Sequence, residues 1–399
     1  MGDAWFALVA TGSATDVSAA IKAGADVHEL DASGWSSVAV AAAMNPDANA
    51  IAVLLAAGAN PTTRVGNIQW TPLMVATMST PNPQVVHALL DTGSDLHARD
   101  TRGFTALHNV IGWHPYRHAR PYLLDTHTVD AIVFDGDRMT LSEPFTSHTG
   151  LYEATFYYPQ FGFEMSARIV ALEDSGTTLR FDQPLSHGLR LEGIELTTPR
   201  VAWPAAATGT SAISMAHLLI EAGADPNVRN GMGDTVLTTA AGLGAPSTML
   251  QLLLEAGADV NSRSDSGATA LNAASAAHTV TPEMLWVLID AGAEVNARTD
   301  RGWTALMFAA AESVDPEVLR LLIDTGADVN ARGGIGNRTI LMHAAILNRN
   351  PEVLRFLLEA GADATIVDQT GRRAIDYART NDYLRGTDAY WQLNDASFD

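Results

Sequence analysis

The chain has 399 residues, 47% of them hydrophobic, enough for several domains or one long array and for a sizeable core. Its formal charge of −21 argues against nucleic acid and anionic membranes, which need clustered Lys and Arg, and makes a partner with a basic surface electrostatically favourable. The absence of cysteine excludes disulfides, thiolate metal sites and cysteine nucleophiles.

The N-terminal MGDAWFALVATGSATD has an acid at Asp3, no basic stretch and a short apolar run, so no signal peptide is expected. Phe6 stands where a myristoylation signal wants Ser or Thr. No run of about 18 apolar residues follows, so no membrane span is expected. The expectation is a cytoplasmic protein. Lys22 is the one lysine in a chain otherwise charged positively by arginine, and with the high alanine content this reads as the codon bias of a GC-rich, bacterial genome.

From Gly24 onward a short motif recurs: GADVH at Gly24, GANPT at Gly58, GSDLH at Gly93, GADPN at Gly223, GADVN at Gly257, GAEVN at Gly292, GADVN at Gly326 and GADAT at Gly361. The steps are 34, 35, 130, 34, 35, 34 and 35 residues. One unit, RGWTALMFAAAESVDPEVLRLLIDTGADVNAR, shows what each repeat builds. Gly302 is a turn residue and Thr304 caps the helix that follows. ALMFAAA is short and alanine-rich, suited to close packing. Asp315-Pro316-Glu317 opens a second helix with an acid at the N-cap, proline at the first helical position and another acid at the positive dipole end. Val318, Leu319, Leu321 and Leu322 give it an apolar stripe, and Gly326 ends it in the left-handed conformation. The same proline-led start recurs at Asn82-Pro83-Gln84, Thr281-Pro282-Glu283 and Asn350-Pro351-Glu352.

These units resemble ankyrin repeats. Thr71-Pro72-Leu73 keeps part of the family's Thr-Pro-Leu-His signature, and Thr105-Ala106-Leu107-His108 keeps its histidine. Most other units carry Met or Asn there, and none has the usual Gly-His before the second helix. The resemblance covers roughly three quarters of the chain in about nine units, of which the first and last read as caps. It implies an all-α solenoid of helix-turn-helix pairs joined by hairpin turns, whose partner lies on the concave side against turn tips and first helices.

The 130-residue step leaves about 95 residues over, at 113–207. They interrupt the fourth unit between its first helix, in TALHNVIG, and its second, at 213–222. The expected domains are therefore 1–112, with repeats one to four in part, an inserted domain at 113–207, and 208–399 with the rest of the array. A compact domain can be spliced into such a loop without breaking the solenoid. Within it the apolar period changes from 3.6 to 2. Strands are expected over 129–134, over 151–158, through Phe163 to Ala171, at Leu179–Phe181 and through Leu189 to Leu196, with a bulge at Gly193. That pattern predicts five or six short antiparallel strands in a small barrel or sandwich.

The insertion holds five of the twelve histidines. His114 and His118, four apart, could bind zinc with His127 or Asp125, although Pro115 and Pro121 oppose a regular helix; a surface or hydrogen-bonded role is the plainer reading. Near its start stand Arg117 and Arg120. The stretch through Glu173-Asp174-Ser175-Gly176 is faintly similar to PilZ-type barrels, which bind a cyclic dinucleotide, but the spacings depart from that family and no residue is carried over. No HExxH, Walker loop, GxSxG or GxGxxG sequence is present.

On the array, the residue between the turn glycine and the capping threonine points to the partner side by the family resemblance. In order these are Trp35, Trp70, Phe104, Asp234, Ala268, Trp303, Arg338 and Arg372. Trp35, Trp70, Phe104, Trp303, Arg338 and Arg372 are the candidate contact residues, since aromatics and arginine dominate binding hot spots. The competing role for the tryptophans is to cover the neighbouring turn. The glycine itself is missing before Trp70 and Arg338. The expected function is a non-enzymatic protein-interaction scaffold without cofactor. A second reading makes the β-rich insertion a small-ligand-binding or catalytic module, metal-dependent through its histidines, that the array displays.

Overall fold

The computed structural model describes residues 2–32, 34–79, 82–111, 209–277, 279–312 and 315–398, and seven strands between 112 and 208. The chain divides into two compact units, 1–112 together with 209–399, and 113–208.

In the first unit the helices come in pairs. The first helices are α1 (Gly2–Thr11), α3 (Ser37–Met44), α5 (Pro72–Ser79), α7 (Ala106–Ile111), α9 (Val236–Gly242), α11 (Ala270–Ser275), α13 (Ala305–Glu312), α15 (Ile340–Leu347) and α17 (Ala374–Ala378). The second helices are α2 (Ala14–Lys22), α4 (Ala48–Ala56), α6 (Pro83–Asp91), α8 (Gly209–Glu221), α10 (Ser247–Glu255), α12 (Pro282–Asp290), α14 (Pro316–Asp324), α16 (Pro351–Glu359) and α18 (Asp388–Ala396). First helices pack on first helices and second on second, so the unit is a two-layer solenoid. The stacking runs unbroken across the interruption: α7 pairs with α8 and also packs on α5 and α9, while α8 packs on α6 and α10.

The two layers follow from two kinds of helix. In α3 every residue from Ser37 to Ala43 is buried, and small side chains let neighbouring backbones approach closely. The outer helices are amphipathic. In α14, Val318, Leu319 and Leu322 are buried while Glu317, Arg320 and Asp324 face solvent. Burying each such aliphatic side chain stabilises by about 1.5–3 kcal/mol, and that term holds helices far too short to persist alone. The Asp315 carboxylate accepts from the Glu317 amide at 2.9 Å, and Pro316 opens the helix as its pattern predicts. Gly326 ends it with φ of 100°.

Between pairs the chain forms projecting fingers, at 24–36, 58–71, 93–105, 223–235, 257–269, 292–304, 326–339 and 361–373. Two of them run one residue longer from the arginine to the capping threonine: Arg64 to Thr71 and Arg332 to Thr339, against Arg298 to Thr304. This explains the missing glycines. Gln69 (φ 63°) and Asn337 (φ 52°) adopt the left-handed backbone that Gly302 supplies elsewhere. The longer turns close as small hairpins: a Val65–Trp70 bridge in one, and in the other the strands β8 (Arg332–Gly333) and β9 (Arg338–Thr339).

The second unit contains β1 (Leu124–Val129), β2 (Val133–Asp135), β3 (Arg138–Thr140), β4 (Glu153–Tyr158), β5 (Phe163–Glu173), β6 (Thr178–Phe181) and β7 (Ile194–Pro199). β1 pairs with β7, and the other five form a sheet in the order β2-β3-β6-β5-β4, every pair antiparallel. The stretch expected as one strand over 129–134 is shared by two: β1 ends at Val129, and β2 pairs with β3, Asp135 standing opposite Arg138. The register irregularity falls between Ile169 and Ala171 of β5; Gly193, where a bulge is expected from the sequence, lies outside the described residues.

Candidate functional site

A finger is a polar framework before it is a surface. In the third finger, Asp100 is buried and its Oδ1 accepts from the amides of Arg102 at 2.8 Å and Phe104 at 2.9 Å. Asn230 does the same for Met232 and Asp234, and Asp368 for Thr370 and Arg372. Each side chain thereby fixes a turn whose amides would otherwise point to solvent. Burial alone would raise the Asp368 carboxyl. Hydrogen bonds from the Tyr377 hydroxyl, from Thr370 and from the Thr370 and Arg372 amides outweigh it and hold the group well below the usual carboxylate range. Burial raises the Asp234 carboxyl.

A column of arginines links successive fingers. Arg64 donates to the Arg99 carbonyl at 2.6 Å, Arg99 to Arg229 at 2.8 Å, and Arg229 to Arg263. Arg263 donates to Arg298 at 2.7 Å, Arg298 to Arg332 at 2.7 Å, and Arg332 to Val367 at 2.7 Å. Each guanidinium holds the backbone of the next finger, which suits its rigid fork of donors. These arginines belong to no short motif. Their signal is a recurrence, an arginine six residues after the motif glycine at Gly58, Gly93, Gly223, Gly257, Gly292 and Gly326.

The six candidate contact residues divide by burial. Trp35 and Trp70 are only 1% and 3% exposed. Trp70 Nε1 donates to Asp100 Oδ2 of the next finger at 3.3 Å. The expectation that these two offer an aromatic contact strip is therefore corrected: their area is already spent inside the protein, and Trp70 covers the neighbouring turn. Phe104 is half-buried, with the Arg102 guanidinium 5.0 Å from its ring centre and His108 edge-on at 5.3 Å. Trp303 is also half-buried, tilted against His343 at 4.3 Å and Phe308 at 4.9 Å. It lies so close to the next finger that a Cβ on Gly334 would stand 2.7 Å from its Nε1. Arg338 reaches the next unit too, 4.8 Å from the Tyr377 ring and 3.2 Å from its hydroxyl. Arg372 is exposed, 5.8 Å from the same ring. Asp234 and Ala268 are intermediate.

Two histidines lie beneath this edge. His108 is fully buried, and burial pushes its imidazole down to about 4. Its Nδ1 receives the Thr105 amide at 3.4 Å and faces the Thr105 hydroxyl at 3.1 Å. Burial also lowers His343, whose Nε2 faces the Gly333 carbonyl at 3.2 Å. The helix pairs and the fingers recur along the array, and the threonine-histidine bond belongs to one unit of it. A family model described as ankyrin repeats (three copies) matches residues 205–299 and 275–368, and a single ankyrin repeat matches residues 69–101. The chain is an ankyrin-repeat protein. No curated protein matches it.

Among the exposed large hydrophobic residues of the array, two are at finger tips. Met232 is 60% exposed and Ile335 82%. Both sit between glycines, in Gly231-Met232-Gly233 and Gly334-Ile335-Gly336. An apolar residue inside a glycine turn is their sequence signal, and it is less conspicuous than a tryptophan at a repeated position. The candidate metal ligands His114 and His118, with Arg117 and Arg120, lie outside the described residues. His127 stands opposite Leu196 in the β1–β7 pair, and its side chain too lies outside the described residues. Among the described residues, no group of three or more potential ligands could hold a metal ion, and no helix is long and apolar enough to cross a membrane.

Proposed function

We propose that the protein is a non-enzymatic scaffold whose finger edge binds a partner protein with a basic surface, with the β-rich domain at 113–207 spliced into the fourth repeat of the array. Ankyrin repeats support protein interaction in general. The observation that carries the finer reading is the exposure of Ile335 at the tip of one of the two longer fingers. The turn is set by glycines at φ of 70° and 78°, so the fold draws nothing from an isoleucine between them. Buried against a partner, that side chain would contribute about 1.5–3 kcal/mol. Met232 offers the same at the fourth finger, and Phe104, Trp303, Arg338 and Arg372 supply the partly exposed flanks. Trp35 and Trp70 act beneath this surface as supports. The net charge of −21 favours a basic partner and disfavours nucleic acid and anionic membranes.

The test is capture from host extract by wild-type protein and by an Ile335→Asp, Met232→Asp double variant. Both tips are solvent-exposed, so the variant should melt as the wild type does. Loss of the captured partner with an unchanged melting curve is the expected result. Undiminished capture by the folded variant would overturn the assignment of the surface.

A further inference from the structure

Every pair of fingers from the second onward is joined by one backbone hydrogen bond: Thr101 to the Ile68 carbonyl at 3.0 Å, Gly231 to Arg102 at 2.7 Å, Asp265 to Met232 at 3.1 Å, Asp300 to Ser266 at 2.9 Å, Gly334 to Arg301 at 2.8 Å and Gln369 to Gly336 at 3.0 Å. The arginine column adds a second link at the same joints. An asparagine clamp is present only in the later ones; the joint of the second and third fingers has in its place the single Trp70 bond to Asp100. Asn227 donates from its side-chain amide to the Gly257 carbonyl and accepts from the Asp259 amide, each at 2.8 Å. Asn261 bridges to Gly292 and Glu294, Asn296 to Gly326 and Asp328, and Asn330 to Gly361 and Asp363, at 2.8–3.2 Å. One carboxamide thus clamps both a carbonyl and an amide of the following finger, two residues apart.

The first three fingers carry His28, Thr62 and His97 at this position. Thr62 turns its hydroxyl back to Asn60 of its own finger at 2.8 Å. Among the described residues, neither histidine side chain bonds to the following finger. At the first joint the arginine is replaced as well, by Leu30, which is 51% exposed. At the third joint the missing clamp coincides with a crevice of about 200 Å³, lined by Leu96, His97, Arg99, Ala224, Asp225 and Val228 among others.

We propose that the array is built with soft joints between its first four fingers and stiff joints beyond them. Fingers four to eight move as one block, and the N-terminal fingers tilt independently, which lets them adjust to the shape of a partner. The links that differ are side-chain bonds at the edge, so the difference is in local opening rather than in the core.

The joint-spanning amides read this directly, because the same bond exists in soft and stiff joints. In the full chain, hydrogen exchange corrected for intrinsic rates should be about tenfold faster at Thr101 and Gly231 than at Asp300 and Gly334. His97→Asn restores the clamp and should slow Gly231 by a similar factor, and Thr62→Asn should do the same for Thr101. Asn261→His removes a clamp and should speed Asp300. All three positions are at the surface, so the variants keep the fold, which circular dichroism checks. Equal protection of the four amides in the wild type would overturn the proposal, and so would a folded His97→Asn protein in which Gly231 exchanges as before.

Discussion

Acid should weaken the array through His108 in a way that one substitution removes. The folded state holds this imidazole at about 4, because burial disfavours the cation, while the unfolded chain titrates near 6.5. Its Nδ1 already faces the Thr105 amide, so protonation there would set two donors against each other. The folded value is depressed, so the unfolded state binds more protons between pH 6.5 and 4. The contribution to stability is intact above 6.5 and is lost as pH falls through that window. With those two values, linkage gives a loss of about 2 kcal/mol between pH 7 and pH 5, approaching roughly 3 kcal/mol below pH 4. Urea unfolding at pH 7 and pH 5 should show this loss in the wild type. A His108→Gln protein starts less stable at pH 7 but should lose about 2 kcal/mol less on acidification, the titration of His343 being common to both. If the two proteins lose the same amount, His108 is not a buried neutral base. Direct titration by proton NMR gives a second reading: its ring signals should stay flat down to about pH 5, and movement centred near 6.5 would refute the argument.

Two further outcomes follow from the finger geometry. Trp70→Ala should cost about 3–5 kcal/mol, as expected for emptying a buried aromatic site, whereas exposed Arg372→Ala should stay within about 0.5 kcal/mol; equal effects in thermal unfolding would contradict the burial of Trp70. Gln69→Gly should stabilise by about 0.5–1 kcal/mol, because it relieves a left-handed side-chain residue at φ of 63° and gives up only an exposed bond to the Gly66 carbonyl; a lower melting temperature would show that the bond outweighs the strain.

The repeat is legible in the sequence because its signals are local. Proline after a capping residue, leucines at helical spacing and a glycine at the helix end each dictate one element, and Asp315-Pro316 to Gly326 folds as those residues require. The alternation from Phe163 to Ala171 marks β5 for the same reason. The end of β1 at Val129 and the start of β2 at Val133 are marked in the sequence only by Asp130 and Ala131, residues disfavoured in strands within an otherwise β-prone stretch. The contact residues are legible only in part. Trp35 and Trp70 stand at the position that faces a partner in the resembled family, but exposure depends on what the next finger presents. Asp100, thirty residues later, gives the Trp70 indole an acceptor and turns it inward. Sequence position fixes the direction of a side chain from its own backbone; burial is fixed by the neighbour.

The finger edge divides its labour for the same physical cause. A solenoid has no long-range core, so each unit is held only by its neighbours. The large side chains near the finger bases are drawn into holding the next unit. Trp70 reaches Asp100, Trp303 packs on His343 and the Gly333–Gly334 turn, and Arg338 lies over Tyr377. The neighbouring fingers bond the backbone of the tips but leave the Met232 and Ile335 side chains uncovered. The glycines on both sides of Met232 and Ile335 lie close against neighbouring fingers, while the two side chains stay largely in solvent. The bases hold the spacing of the fingers, through the arginine column and the asparagine clamps, and the tips are spaced by that framework. A substitution at a base should therefore alter stability and the relative placement of tips together, whereas a substitution at a tip should alter binding alone.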